Sequence, residues 1–222
     1  MPFNYRKITG FLLLALAISG PASAHVVVQE LDSISKSDAA LVYLMLGYKH
    51  ILPLGFDHIL FVLSLFLLSP TLKSILIQST AFTLAHSVTL CLAAYQVIHP
   101  PSRIIEPLIA LSIVYVALEN IYSPRLKPSR IGIVFFFGLV HGLGFAGALA
   151  EMGLPKNAYF TSLIMFNVGV ELGQVTVILL AWFCMAKWFS QKPFYRTRMV
   201  IPLSLVIALT AAFWTVERIF FV

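Results

Sequence analysis

Asp57-His58, His86, His141 and Glu171 each stand well inside a long apolar stretch. An acidic or basic side chain at the centre of a membrane-spanning helix costs roughly 2.5 to 3.5 kcal/mol, so several at comparable depth point to one shared interior site. Three imidazoles and two carboxylates make a metal-ligand set. With no usable cysteine, that set suits borderline divalent ions such as nickel, cobalt, zinc or iron(II) better than copper(I).

The neighbours of these residues follow helical spacing. Thr83, His86 and Ser87 share one face, with Ser79 a turn earlier. Asn167, Glu171 and Gln174 form a second polar stripe, and Gly138 and Gly142 flank His141 as a small-xxx-small pair that admits a close helix approach. Around His58, the run Lys49, His50, Pro53, Gly55 predicts a kinked or broken helix, which would free backbone carbonyls and put His50 on a different element from His58. The competing arrangement is an interfacial helix over Asp38 to Leu52 that leaves Lys49 and His50 wet. Glu106 and Glu119, with Ser112 between them, would mark the two ends of a cation path or sit solvated at headgroup depth.

Two further groups complete the inventory. Cleavage after Ala24 would make His25 the mature N-terminus, where amine and imidazole together form a metal-loading site. Cys91 and Cys184 have no partner nearby in sequence and are expected to be buried packing residues. No HExxH motif and no nucleotide-binding loop are present, so ligands must converge from separate helices and any ATP use would need another subunit.

The elements that position these residues follow from composition. Of 222 residues, 59% are hydrophobic and only 11% charged, with mean hydropathy +0.92, which excludes a soluble globular domain with a wet surface. Residues 1–24 read as a signal peptide: basic Arg6 and Lys7, an apolar stretch from Phe11 to Ile18, then Ala22-Ser23-Ala24. The remainder, 25–222, is expected to be one all-α polytopic membrane bundle, with six spans near 42–68, 74–97, 105–122, 131–149, 159–184 and 199–217, the first broken near Pro53-Gly55. Lys73, Arg125, Lys127, Arg130, Lys187, Lys192, Arg196 and Arg198 then fall on one side, with Arg103, Lys156 and Arg218 on the other. By the positive-inside rule both mature ends face outward across a bacterial inner membrane, and the net charge of +6 reflects topology rather than nucleic-acid binding.

The segment Gly47-Tyr48-Lys49-His50-Ile51-Leu52-Pro53-Leu54-Gly55-Phe56-Asp57-His58 resembles the HupE/UreJ family of small membrane proteins, in its second subgroup. Phe82 to Ser87, Phe137 to Ala146 and Phe166 to Gln174 extend the likeness over roughly residues 40 to 185. Best-known members have a compact His-Pro-x-x-Gly-x-Asp-His motif; here one extra residue separates His50 from Gly55, and the Asp57-His58 end is intact. The resemblance implies a cytoplasmic-membrane protein of nickel or broader metal supply to enzymes such as hydrogenase and urease, with metalloenzyme-maturation proteins as partners.

The leading expectation is therefore a permease, not an enzyme, that passes a divalent transition metal from periplasm to cytoplasm. Its ligands would be Asp57, His58, His86, His141, Glu171 and His50, supported by Thr83, Ser87, Asn167, Gln174, Glu106 and Glu119. An intramembrane metallohydrolase would use the same residues, three histidines holding zinc and a carboxylate acting on bound water. A structural or sensory subunit with hydrogen-bonded histidines is a third arrangement.

Overall fold

A computed structural model describes residues 35–99, 101–145, 147, 149 and 153–221. The expected signal peptide over 1–24 and His25 lie outside the described residues. Helix α1, Lys36–Ile51, starts where the Ser35 hydroxyl accepts from the backbone N–H of Asp38, whose own carboxylate suits the positive end of the helix. It stops at Leu52 because Pro53 can neither donate to the helix nor tolerate a helical residue before it. Helix α2, Phe56–Leu68, then leaves Gly55 at 66° to α1. The break expected near Pro53-Gly55 is present, and each half is too short to span alone.

Four more long elements follow: α3, Leu72–Ala94; α4, Ser102–Tyr122; α6, Tyr159–Ala181; and α7, Ile201–Phe220. Helix α6 is preceded by a short turn at Lys156–Ala158 and continues through a widened turn at Trp182–Ala186 to Phe189, and α7 is preceded by a similar turn at Arg196–Val200. Each of these four is long and apolar enough to cross a bilayer, and α1 with α2 passes as a bent fifth span. At the fourth expected span stands α5, Arg130–Gly144. Its 15 described residues extend about 22 Å, short of the roughly 30 Å hydrocarbon core.

The bundle is all-α and its main helix pairings are α1 on α6, α3 on α5 and α4 on α7, with α2 packed against α4 and α6. Close approach explains the glycines. A Cβ on Gly142 would run into the carbonyl of His86 and the Thr89 hydroxyl, and one on Gly138 would meet the Phe82 carbonyl and Ala85. The small-xxx-small face of α5 thus lies directly on the backbone of α3, which puts His141 beside His86. Phe61, Leu65, Phe66, Phe82, Ile113, Phe166 and Val170 fill the space between layers.

Polar side chains tie the ends. Arg130, although first in its helix, is 1% exposed. Its Nη1 donates to Glu119 Oε2 at 2.8 Å, Nε to Gln78 Oε1 at 3.2 Å and Nη2 to Asn120 Oδ1 at 3.2 Å. Arg196 donates to the carbonyls of Asn120, Ile121 and Ser123, satisfying groups that the end of α4 leaves open. Of the two cysteines, both free, Cys184 is exposed rather than buried, and Cys91 is half-buried.

Candidate metal centre

The α1–α2 break brings His50 and His58 together, with ring centroids 4.7 Å apart and nearly edge-on. His86 of α3 lies 5.8 Å from His58 and 6.1 Å from His50, and His141 of α5 lies 5.0 Å from His58. His50 is therefore an interior residue, walled by Phe145 and Phe166, and not a wet residue at an interface. Phe61 and Phe82 cover the other side, each within about 5 Å of the His141 ring. Four imidazoles from four helices thus share one apolar chamber.

One ring nitrogen from each of His50, His58 and His86 lies within 4.8 Å of the others. Nitrogens bound to one tetrahedral ion at about 2.0–2.1 Å stand roughly 3.3 Å apart, so the three rings are near a coordinating geometry and have to draw together on an ion. Nε2 of His50, Nε2 of His58, both nitrogens of His86 and Nδ1 of His141 are buried with no hydrogen-bond partner among the described residues. Leaving such a group unpaired costs about 1–3 kcal/mol, so five at one place are suited to a ligand that binds imidazole nitrogen.

The carboxylates stand elsewhere. Both oxygens of Asp57 accept from Nη2 of Arg218, at 3.1 and 3.0 Å. Glu171 Oε1 accepts from Thr80 Oγ1 at 2.8 Å. Thr80 is six residues before His86, about 9 Å along α3, and Glu171 is not among the residues whose ligand atoms converge with those of His50, His58 and His86. The polar stripe of α6 forms a ladder with α3: Ser87 lies 2.7 Å from Asn167 Oδ1, Thr80 meets Glu171, and Ser79 Oγ donates to Gln174 Oε1 at 2.5 Å. Thr83 Oγ1, Glu171 Oε2 and Gln174 Nε2 on that ladder have no hydrogen-bond partner among the described residues. Glu106, near Arg218 at 3.9 Å, and Glu119, on Arg130, occupy opposite ends of α4, about 20 Å apart.

The pairings of three residues in this arrangement escape a sequence reading. Arg130 and Arg218 resemble loop and tail charges but are partners of interior polar groups, and Ser112 lies against His141 Nε2 at 2.9 Å. Gln78, Glu119 and Asn120 in apolar helices are the signal that a buried donor such as Arg130 is needed.

These features define a polytopic membrane helix bundle with a buried imidazole site. A family model described as HupE / UreJ protein matches residues 24–218, and the chain belongs to that family. No curated protein and no solved structure gives a match.

Proposed function

We propose that the protein is a permease that carries a divalent transition metal such as nickel or cobalt across the bacterial inner membrane, from periplasm to cytoplasm. The observation that carries this reading is the set of five imidazole nitrogens in one chamber with no hydrogen-bond partner among the described residues. Membership of a family associated with nickel and cobalt supply favours the same cargo. His50, His58 and His86 hold the ion, with His141 beside them. Their spacing is looser than a tight structural site, which suits release.

The chamber is bracketed along α4. Arg218 with Asp57 and Glu106 closes one end, and Arg130 with Glu119 closes the other. A fixed guanidinium repels a cation, so each pair would have to part for metal to pass it. Asp57 and Glu171 do not join the histidines, which removes support for a hydrolase that needs a carboxylate base beside its metal.

The test is uptake of radiolabelled nickel, cobalt, zinc and iron into metal-starved cells, comparing the wild type with His58→Ala and His86→Ala. Loss of uptake of at least one ion in both variants is expected. Unchanged uptake of every ion would overturn the permease reading.

A further inference from the structure

Ser112 is 1% exposed and has one hydroxyl proton to give. Its Oγ lies 2.6 Å from the carbonyl oxygen of Ile109, one turn back in α4, and 2.9 Å from Nε2 of His141. A carbonyl oxygen cannot donate, so at 2.6 Å the proton between Ser112 and Ile109 belongs to Ser112. The Ser112 oxygen therefore accepts from His141, and Nε2 of His141 carries the imidazole proton. If Ser112 donated to the imidazole instead, two oxygen acceptors would face each other at 2.6 Å with no proton between them.

A neutral imidazole protonated at one nitrogen has a lone pair only at the other. In His141 that other atom is Nδ1, which is buried and has no hydrogen-bond partner among the described residues. The ring stands edge-on to His58, 5.0 Å away at 81°. We propose that Ser112 fixes the tautomer of His141, so that His141 offers Nδ1 to a cation held by His50, His58 and His86. Ser112 is a positioning residue: it touches no metal and acts through the ring it orients, as outer partners of metal-bound histidines generally do. The inference rests on the permease reading for its metal, although the tautomer itself does not.

Two measurements separate the parts. Nitrogen-15 NMR of histidine-labelled, metal-free protein in nanodiscs is expected to find His141 protonated at Nε2. Titration with cobalt(II), followed by its d–d absorption, is expected to show a 10- to 100-fold weaker affinity in Ser112→Ala than in the wild type. Ser112→Thr, which keeps the hydroxyl and its bond to the preceding turn, is expected to retain both the wild-type tautomer and the affinity. His141 protonated at Nδ1, or a Ser112→Ala protein with unchanged tautomer and affinity, would overturn the role of Ser112. A wild type that binds no cobalt, nickel or zinc would instead sink the metal site itself, and with it the permease reading.

Discussion

Arg218, two residues before the end of α7, holds both carboxylate oxygens of Asp57, 161 positions earlier in the chain and next to His58. The pair joins the start of α2 to the end of α7, and the Glu106 carbonyl accepts a further bond from Arg218 at 3.2 Å. Its effect on the site is directional. With Asp57 turned to Arg218, the one-residue offset along α2 leaves His58 facing the chamber. The side chains are 18% and 26% exposed, so the pair lies between a surface bridge worth 0–1 kcal/mol and a buried one. A double-mutant cycle of Asp57→Asn and Arg218→Gln, read by thermal unfolding in detergent, is expected to give a coupling of about 1–2 kcal/mol. Additive effects would mean that the pair does not fasten α2.

Metal affinity should follow the histidines and not the carboxylates. Removing one of three nitrogens that converge within 4.8 Å leaves an incomplete shell, so His50→Ala, His58→Ala and His86→Ala are each expected to weaken cobalt(II) binding at least tenfold, by roughly 1.4 kcal/mol or more. Glu171→Gln, at the level of Thr80, is expected to change it less than about threefold, or roughly 0.7 kcal/mol. Calorimetric titration of each purified variant checks the ranking. A Glu171→Gln loss as large as that of His86→Ala would place the carboxylate in the first shell after all.

The seating of α5 on α3 makes a third test. A side chain at Gly142 meets the His86 carbonyl and Thr89, which are fixed by the helix, so Gly142→Val has to push α5 outward and draw His141 away from the other rings. Overpacking of this kind costs about 1–3 kcal/mol. Gly132, on the same helix with open space around its Cα, serves as the control, and Gly132→Ala is expected to leave both melting temperature and cobalt affinity unchanged. Equal melting temperatures for the two variants would refute the close α3–α5 contact.

Local rules reach far in this chain because membrane helices leave little choice. Pro53 and Gly55 foretell the α1–α2 break, apolar length foretells the long helices, and Gly138 with Gly142 foretells the tight contact with α3. The grouping of His50, His58, His86 and His141 is legible as well, since each is an expensive group on an apolar helix. What the sequence hides is pairing at a distance. Asp57 is paired with Arg218 and Glu171 with Thr80, partners on other helices that no local spacing foretells. Charge counting by loop also treats Arg130, Arg196 and Arg218 as free markers of topology, whereas all three are engaged with helix ends or buried acids.

Arg130 supplies the sharpest energetic test. Its guanidinium is the only donor set among the described residues that reaches Glu119, Gln78 and Asn120 together, and Asn120 in turn donates to the Ser64 carbonyl at 2.7 Å and to Ser204 at 3.2 Å. Arg130→Met preserves much of the volume but strands the Glu119 carboxylate, 11% exposed, without its cation. Removing one partner of a buried ion pair costs about 3–5 kcal/mol, far more than the pair contributes over an apolar replacement of both. Arg130→Met is therefore expected to be severely destabilised, and the double variant Arg130→Met with Glu119→Leu to recover about half of the loss or more, because no charge is then left unpaired. Thermal unfolding of the three proteins in one detergent measures this. If the double variant is as unstable as Arg130→Met alone, Glu119 is not the residue that Arg130 neutralises. If it recovers stability and passes nickel or cobalt faster than the wild type, the Arg130 end is where the chamber opens.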